Sequence, residues 1–185
     1  MKNIIIFSII CLISTGVFGQ KWYDQQCEIE DEISKSEYES SKEKNILTVI
    51  IDQDNNLIIN NEERNDLSEI KFKELVYKFL NNPDSDKTKA ESPKKAVIAI
   101  ASYGEKDRYE MVLNYIREVY LYAWNLKANE AYNENYIDLN CKKRARIISK
   151  NFPYRVLELT SEVDKKNTPS ASPGVPPFQG DVKDN

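Results

Sequence analysis

The chain has 185 residues, enough for one ordinary domain with appendages but not for several domains. Its 26 basic and 30 acidic residues give a formal net charge of −4, so the general positive field that attracts nucleic acid is absent. The absence of histidine excludes histidine-based catalytic triads and histidine-ligated zinc sites. The hydrophobic fraction of 41% still predicts a modest buried core.

The first 19 residues have the pattern of a secretory signal peptide. Lys2 supplies a positive charge, residues 4–18 carry none, and Gly19 is a small residue suited to cleavage. As a helix, the apolar run would span about 23 Å, less than the hydrocarbon core of about 30 Å. An uncleaved inner-membrane anchor is therefore the weaker alternative, and we expect a mature chain that begins at Gln20.

Two cysteines, Cys27 and Cys141, remain after cleavage. An even number of thiols in an exported protein usually forms disulfides, because the compartment is oxidising. We therefore expect a Cys27–Cys141 disulfide, with two unpaired thiols on flexible flanks as the alternative.

The two flanks differ in composition from the middle of the chain. Residues 20–44 form a polar N-terminal lead, expected to be partly helical around residues 28–34. Residues 164–185 form a tail that carries four of the seven prolines and is predicted to be extended and disordered. The folded body is expected over residues 45–163.

The body begins with a hairpin signal. Residues 45–52 and 57–60 are apolar and β-branched, and residues 54–56 between them tolerate positive φ. Asp66 and Glu69 then have the spacing of a capping box, which predicts a helix from about residue 67 to 81. The polar residues 82–94 are predicted to form a surface loop.

Residues 96–100 are apolar on both faces and predict a buried, central strand. The longest helix should follow from about residue 104, with a core-facing stripe at helical spacing: Tyr109, Val112, Ile116, Val119, Tyr120, Ala123 and Leu126. A third helix is expected from after Asp138 to near Asn151, and a strand at residues 154–159. This order predicts an α+β fold with two layers.

Two groups of residues are candidates for an interface. Tyr115, Tyr122 and Trp124 fall off the core stripe and are expected to be single exposed aromatics or part of a binding surface. The one basic cluster comprises Lys142, Lys143, Arg144, Arg146 and Lys150. Such residues usually keep a helix face solvated and interact favourably with the helix dipole, but they could also bind anionic lipid or the acidic residues of a partner.

No pattern predicts catalysis, a metal site or a cofactor. Pairs of carboxylates are abundant, so their proximity in sequence carries no information. Asp52, Asp54 and Asn56 begin like a calcium loop, but Leu57 stands where that loop needs glycine. We therefore interpret these residues as turn formers and expect a protein that is not an enzyme.

Part of the chain resembles the periplasmic domain of ExbD/TolR biopolymer-transport proteins. The resemblance covers about residues 45–160 and rests on the order of elements and on residues 95–100, 106–111, 146–148 and 152–156. It implies a small mixed sheet with helices on one face, a periplasmic homodimer, and protein partners in an ExbB- or TonB-type envelope complex. It implies no catalytic residue.

The leader departs from that family in one respect. ExbD/TolR proteins carry a proton-bearing aspartate in an N-terminal membrane helix, and residues 4–19 contain no carboxyl group. We therefore expect a non-catalytic periplasmic module associated with TonB- or Tol-type transport, joined to a membrane only through partners or an uncleaved leader. The alternative is a free-standing secreted module that binds cell-wall glycan or peptide through Trp124 and the exposed tyrosines.

Overall fold

The computed structural model describes Cys27 and residues 33–160. The predicted signal peptide, part of the polar lead, the last three residues of the predicted body and the whole Pro-rich tail lie outside these residues. The elements in chain order are α1 Lys35–Glu39, a 3₁₀ turn Glu43–Asn45, β1 Ile46–Ile51, β2 Leu57–Ile59, β3 Glu62–Glu63, α2 Glu69–Asn81, β4 Val97–Ser102, α3 Lys106–Tyr132, a 3₁₀ turn Tyr136–Asp138, α4 Cys141–Lys150 and β5 Val156–Thr160. The predicted α+β class is confirmed.

The five strands form one mixed sheet in the order β3-β2-β1-β4-β5. β1 and β2 form the predicted antiparallel hairpin, with Ile51 opposite Leu57. β4 is parallel to both β1 and β5, so the strand predicted to be buried has a neighbour on each side. The short strand β3, at the edge beyond β2, was not predicted.

The hydrophobic core lies between one face of the sheet and the helices. Every second residue of β1 points into it, because side chains alternate between the two faces of a strand. The strands contribute Leu47, Val49, Ile51, Leu57, Ile59, Ile98, Ile100 and Val156. α2 contributes Phe72, Val76, Phe79 and Leu80, and α3 and α4 complete the layer. This side of the sheet is a closed two-layer core.

Asparagine takes the backbone positions that glycine usually occupies. Six residues of the described part have positive φ, and five of them are asparagines. Asn82 and Asn133 end α2 and α3 in the left-handed conformation, with amides that bond back to Lys78 and Asn129. Asn55 has φ of 64° in the β1–β2 turn, as its sequence predicted.

The start of α2 differs from the prediction. Ser68, rather than Asp66, is the N-cap, and its hydroxyl accepts from the amide of Lys71. The carboxylate of Asp66 instead accepts from Arg64 Nε at 3.0 Å. Because serine and aspartate are both favoured caps, the spacing alone did not separate them.

The part of the lead that the structure describes is attached to the body. Glu91 forms ion pairs with Lys42, Lys44 and Lys95 at 3.0, 2.9 and 2.6 Å. Its backbone amide also donates to Asn45 Oδ1 at 2.9 Å. The ammonium groups, with Lys95 the largest contributor, hold the pKa of Glu91 below its usual range. The lead therefore meets the body beside the start of β1.

The predicted disulfide between Cys27 and Cys141 is present and joins residues 114 positions apart. It links the N-terminal segment to the first residue of α4. Within the described part of the chain, no helix is both long enough and apolar enough to cross a bilayer.

The carboxyl ends of β1 and β4 meet at one edge of the sheet, because the two strands are parallel. We name this region, formed by residues 52–56 and 102–105, the strand-end turn. Asp52 Oδ1 accepts from the amides of Asp54 and Asn56 at 2.9 and 2.8 Å, which confirms it as a turn former. Asn55 Oδ1 accepts from the amide of Glu105 at 2.7 Å and ties the hairpin to the start of α3.

Glycine is required at position 104 of the strand-end turn because neighbouring atoms leave no room for a side chain. A Cβ at this position would lie 2.5 Å from Asn55 Oδ1 and closer still to the carbonyl oxygen of Asp52. Its φ is not positive, so space and not backbone conformation selects glycine. The turn therefore closes tightly on the loop that precedes α3.

Candidate functional site

The C-terminal half of α3 extends beyond the sheet. Its 27 residues span about 40 Å, whereas the six residues of β4 span about 20 Å. Besides β4, α3 packs against α2, α4 and the Tyr136–Asp138 turn. It is therefore covered on a side that a helix lying only on a sheet would expose.

Aromatic rings fill the space between the end of α3 and the segments that follow it. Trp124 has 0% of its surface exposed, and its Nε1 donates to the carbonyl oxygen of Phe152 at 2.7 Å. Its ring lies 5.1 Å from that of Tyr136 and 5.7 Å from that of Tyr120. The prediction of Trp124 as an exposed aromatic was wrong, because α4 and the turn before it cover that face.

A shallow groove lies on the outer side of these rings. It has a volume of about 370 Å³, and we name it the aromatic groove; its lining residues are Leu121, Tyr122, Asn125, Asn135, Tyr136 and Ile137. Asn125 Oδ1 accepts from the amide of Tyr136 at 3.0 Å and fixes the floor between α3 and the turn. The remaining walls are mainly apolar side chains.

The rim of the aromatic groove exposes large apolar side chains. Ile137 is 68% exposed and Tyr122 is 55% exposed. Leu126, which was predicted to face the core, is also exposed at 41%, and this prediction was wrong. Exposed aromatic and aliphatic side chains beside a groove are typical of protein-docking surfaces.

Tyr122 is held in place from the side of α2. Its ring meets that of Tyr77 edge to face, with 5.4 Å between the ring centres. Tyr115, two turns earlier on α3, is half-buried against Phe72, and Lys73 Nζ lies 4.9 Å from the centre of its ring. Of the three aromatics proposed for an interface, only Tyr122 therefore lines the aromatic groove.

The charged residues near the aromatic groove are paired with one another. Lys127 Nζ lies 2.6 Å from Glu130, and Lys143 Nζ lies 2.6 Å from Glu134. Lys143 also lies 4.8 Å from the centre of the Tyr132 ring. The groove therefore presents an apolar surface with neutralised charges at its border.

The predicted basic cluster is divided by α4 into an inner and an outer part. Arg144 is only 5% exposed, and its guanidinium donates to the carbonyl oxygens of Leu139 and Ile137. It cannot contribute to a solvent-facing basic patch, which corrects its assignment as a surface residue. Lys142 and Arg146 remain exposed on the opposite side of the helix, together with Lys150.

Titratable side chains of α3 are hydrogen-bonded to Glu158 on β5. Tyr109 Oη donates to Glu158 Oε2 at 3.2 Å, and Arg117 Nη2 donates to Glu158 Oε1 at 3.3 Å. Burial, with the Glu158 carboxylate as a second cause, raises the pKa of Tyr109, so its phenol stays protonated at neutral pH.

Within Cys27 and residues 33–160, no three His, Cys, Asp or Glu side chains are grouped so that they could bind a metal ion.

Comparisons with protein-family models, curated proteins and solved structures find no match to this chain.

Sequence reasoning missed most of the groove. Ile137 is one apolar residue in the polar run 133–138, and no periodicity predicts that it is exposed beside Tyr122. Tyr136 gains its position from the turn that follows α3, and Leu121 lies on α3 but outside the predicted core stripe. The only usable signal was the high density of tyrosine between Tyr103 and Tyr136.

Proposed function

We propose that this chain is a non-catalytic ExbD/TolR-like module of the periplasm, associated with energy-transducing biopolymer transport of the TonB or Tol type. One observation carries the proposal. The hairpin, α2, buried β4, long α3 and basic α4 follow one another in the order on which the resemblance rests, and Phe152 and Pro153 lead from α4 into β5. The proposal covers the domain and its setting, not proton transfer.

The aromatic groove is the surface that we propose for the protein partner. Tyr122 and Ile137 are exposed, while the rings of Trp124 and Tyr136 are buried and lie 5.1 Å apart. Anchors of this kind on a rigid base dominate the energy of many interfaces. The partner is expected to be a member of an ExbB/TonB-type complex.

Photocrosslinking in the native envelope tests this assignment. A photoreactive amino acid at Tyr122 or Ile137 should yield adducts with a member of the transport complex. The same group at Ile70, which is 70% exposed on α2, is the matched control and should give none. Adducts that are absent, or equal at all three positions, would overturn the assignment.

The proposal also includes the homodimer that the resemblance implies. β5 is paired only with β4 among the described strands, so its outer edge offers backbone groups to another strand. Light scattering on the purified mature chain should give twice the monomer mass. A monomer at all concentrations up to about 100 μM, well above the Kd of a stable dimer, would remove the dimer from the proposal.

The glycan- or peptide-binding alternative now depends on Tyr122 instead of Trp124, because only the former presents its ring to solvent. Retention on a peptidoglycan column that is lost in Tyr122→Ala would favour it over the transport module. Retention unaffected by that substitution would exclude the aromatic groove as the glycan site.

A further inference from the structure

The outer face of α4 carries cations that the fold itself does not explain. Lys142, Arg146 and Lys150 are all exposed and follow one another at intervals of four residues, so they form one row along the helix. We name this row the α4 stripe. Within the described part of the chain none of the three forms an ion pair, whereas neighbouring Lys143 pairs with Glu134.

Helix stability does not account for the α4 stripe. α4 has five basic residues and no acidic residue, and among the four α-helices in the described part of the chain it alone lacks one. Lys142 lies in the first turn, where a positive charge opposes the helix dipole. Only Lys150, in the last turn, is placed where the dipole favours it. Two of the three cations are therefore not where the helix dipole would favour them.

We propose that the α4 stripe binds an extended acidic peptide segment of a protein partner, with carboxylates at alternate positions. Neighbouring cations of the row are about 6 Å apart along the helix axis. Alternate side chains of an extended chain lie on one face about 6.7 Å apart, a mismatch that lysine and arginine side chains absorb. Three successive carboxylates can thus meet Lys142, Arg146 and Lys150 in turn.

The composition of this face selects an extended peptide over the other anionic partners. The exposed residues between the cations are Ala145 and Ser149, so no large apolar side chain is available to anchor a partner helix or to insert into a bilayer. The chain as a whole is also negatively charged, which opposes adsorption to an anionic membrane. Small side chains leave a flat path along which an extended backbone can lie.

Fluorescence anisotropy with two labelled heptapeptides tests the inference on the purified, disulfide-intact mature chain. One peptide has three glutamates at alternate positions, and the other has the same composition with the three glutamates consecutive. The alternating peptide should bind about twofold to threefold more tightly, because in the other peptide only the first and third of the three consecutive glutamates can face the helix. Binding should weaken as salt is added, since exposed charges are screened.

Two variants with the same loss of charge locate the site. Lys142→Gln/Arg146→Gln/Lys150→Gln should weaken binding of the alternating peptide about eightfold, since each of the three exposed ion pairs contributes a factor of about two. Lys71→Gln/Lys78→Gln/Lys87→Gln removes three exposed cations elsewhere and should change it by less than about twofold. All six positions are on the surface, so both variants should keep the melting temperature of the parent.

Three outcomes would overturn the inference. Equal weakening in the two variants would show that the peptide responds to the overall charge and not to the α4 stripe. Equal affinity for the two peptides would show that the spacing of the carboxylates does not matter. Binding of anionic phosphatidylglycerol vesicles that depends on the α4 stripe, with neither peptide bound, would make the partner a membrane surface. None of these results depends on crosslinks at Tyr122, so failure here is distinguishable from failure of the transport assignment.

Discussion

The strand-end turn and the aromatic groove lie toward opposite ends of α3, and they differ in whether their side chains are satisfied within the chain or exposed to solvent. At the strand-end turn, polar groups satisfy one another, and a Cβ on Gly104 would already overlap Asn55 and the backbone of Asp52. At the aromatic groove, the inner rings are buried while Tyr122 and Ile137 remain exposed. One end is filled by the chain itself, and the other is left open.

This difference matters because ligands of open α/β sheets usually bind beyond the carboxyl ends of the parallel strands. In this protein the β1–β2 turn occupies that position and is bonded to the start of α3 through Asn55 and Glu105. The open surface lies instead where α3 projects past the sheet. A surface at that end suits a partner protein better than a small molecule, since the groove is shallow and its rim is apolar.

The largest expected effect comes from Trp124, which packs against Tyr136 beneath the aromatic groove. Trp124→Ala should lower the free energy of unfolding by about 3–5 kcal/mol, because it removes a fully buried ring from the aromatic cluster. Urea unfolding followed by circular dichroism measures the change. A loss below about 1 kcal/mol would mean that the cluster collapses around the space, and the groove would then not have a rigid base.

Trp124→Phe separates packing from hydrogen bonding at the same position. It keeps an aromatic ring but leaves the carbonyl oxygen of Phe152 without the Nε1 donor. The expected loss is about 1–3 kcal/mol, the usual cost of an unsatisfied buried polar group. Equal losses for the two variants would show that the hydrogen bond, and not the ring, holds this end together.

A smaller effect is expected at the strand-end turn. Gly104→Ala should lower the free energy of unfolding by about 1–3 kcal/mol, since the added methyl group meets backbone that cannot move freely. Ser102→Ala is the control in the same loop: it removes an acceptor for the Gly104 amide without adding volume. A neutral Gly104→Ala would show that the turn does not close on the loop, and the contrast between the two ends would disappear.

The sequence predicted the sheet side of the fold well. β-branched runs at residues 46–51 and 57–59 and the apolar run before Ser102 are visible as strands because their patterns match burial on one face or on both. The strand β3 was missed because Glu62 and Glu63 are two exposed acidic residues with no pattern of their own. The cap of α2 was misplaced because Asp66 and Ser68 are equally suitable residues.

The helical end was predicted less well, for a physical reason. A single apolar stripe assumes that a helix is covered from one side, but α3 packs against β4, α2, α4 and the Tyr136–Asp138 turn. Trp124 therefore became buried although it lies off the stripe, and Leu126 became exposed although it lies on it. Arg144 was likewise counted with the surface cations, since its bonds to the carbonyls of Ile137 and Leu139 have no sequence signature.

The smallest expected effect concerns the charge of Asp52 in the strand-end turn. Hydrogen bonding from the Asn56 amide, the largest cause, lowers the pKa of Asp52 below its usual range, with the Asn56 side chain and the Asp54 amide assisting. The folded state thus favours the ionised carboxylate more than the unfolded state does. This contribution is complete above the unfolded pKa and is lost as the pH falls through the folded pKa.

Asp52→Asn keeps an oxygen acceptor for the two amides but cannot ionise. We expect the variant to be less stable than the parent at pH 7 and to lose less of its melting temperature as the pH falls through the lowered pKa of the folded carboxylate. Asp54→Asn is the matched control, because it removes the same charge from the same turn without replacing the acceptor for Asn56. Parallel curves for Asp52→Asn and the parent would mean that the carboxylate is not held by these amides, and the turn would be closed by Gly104 and Asn55 alone.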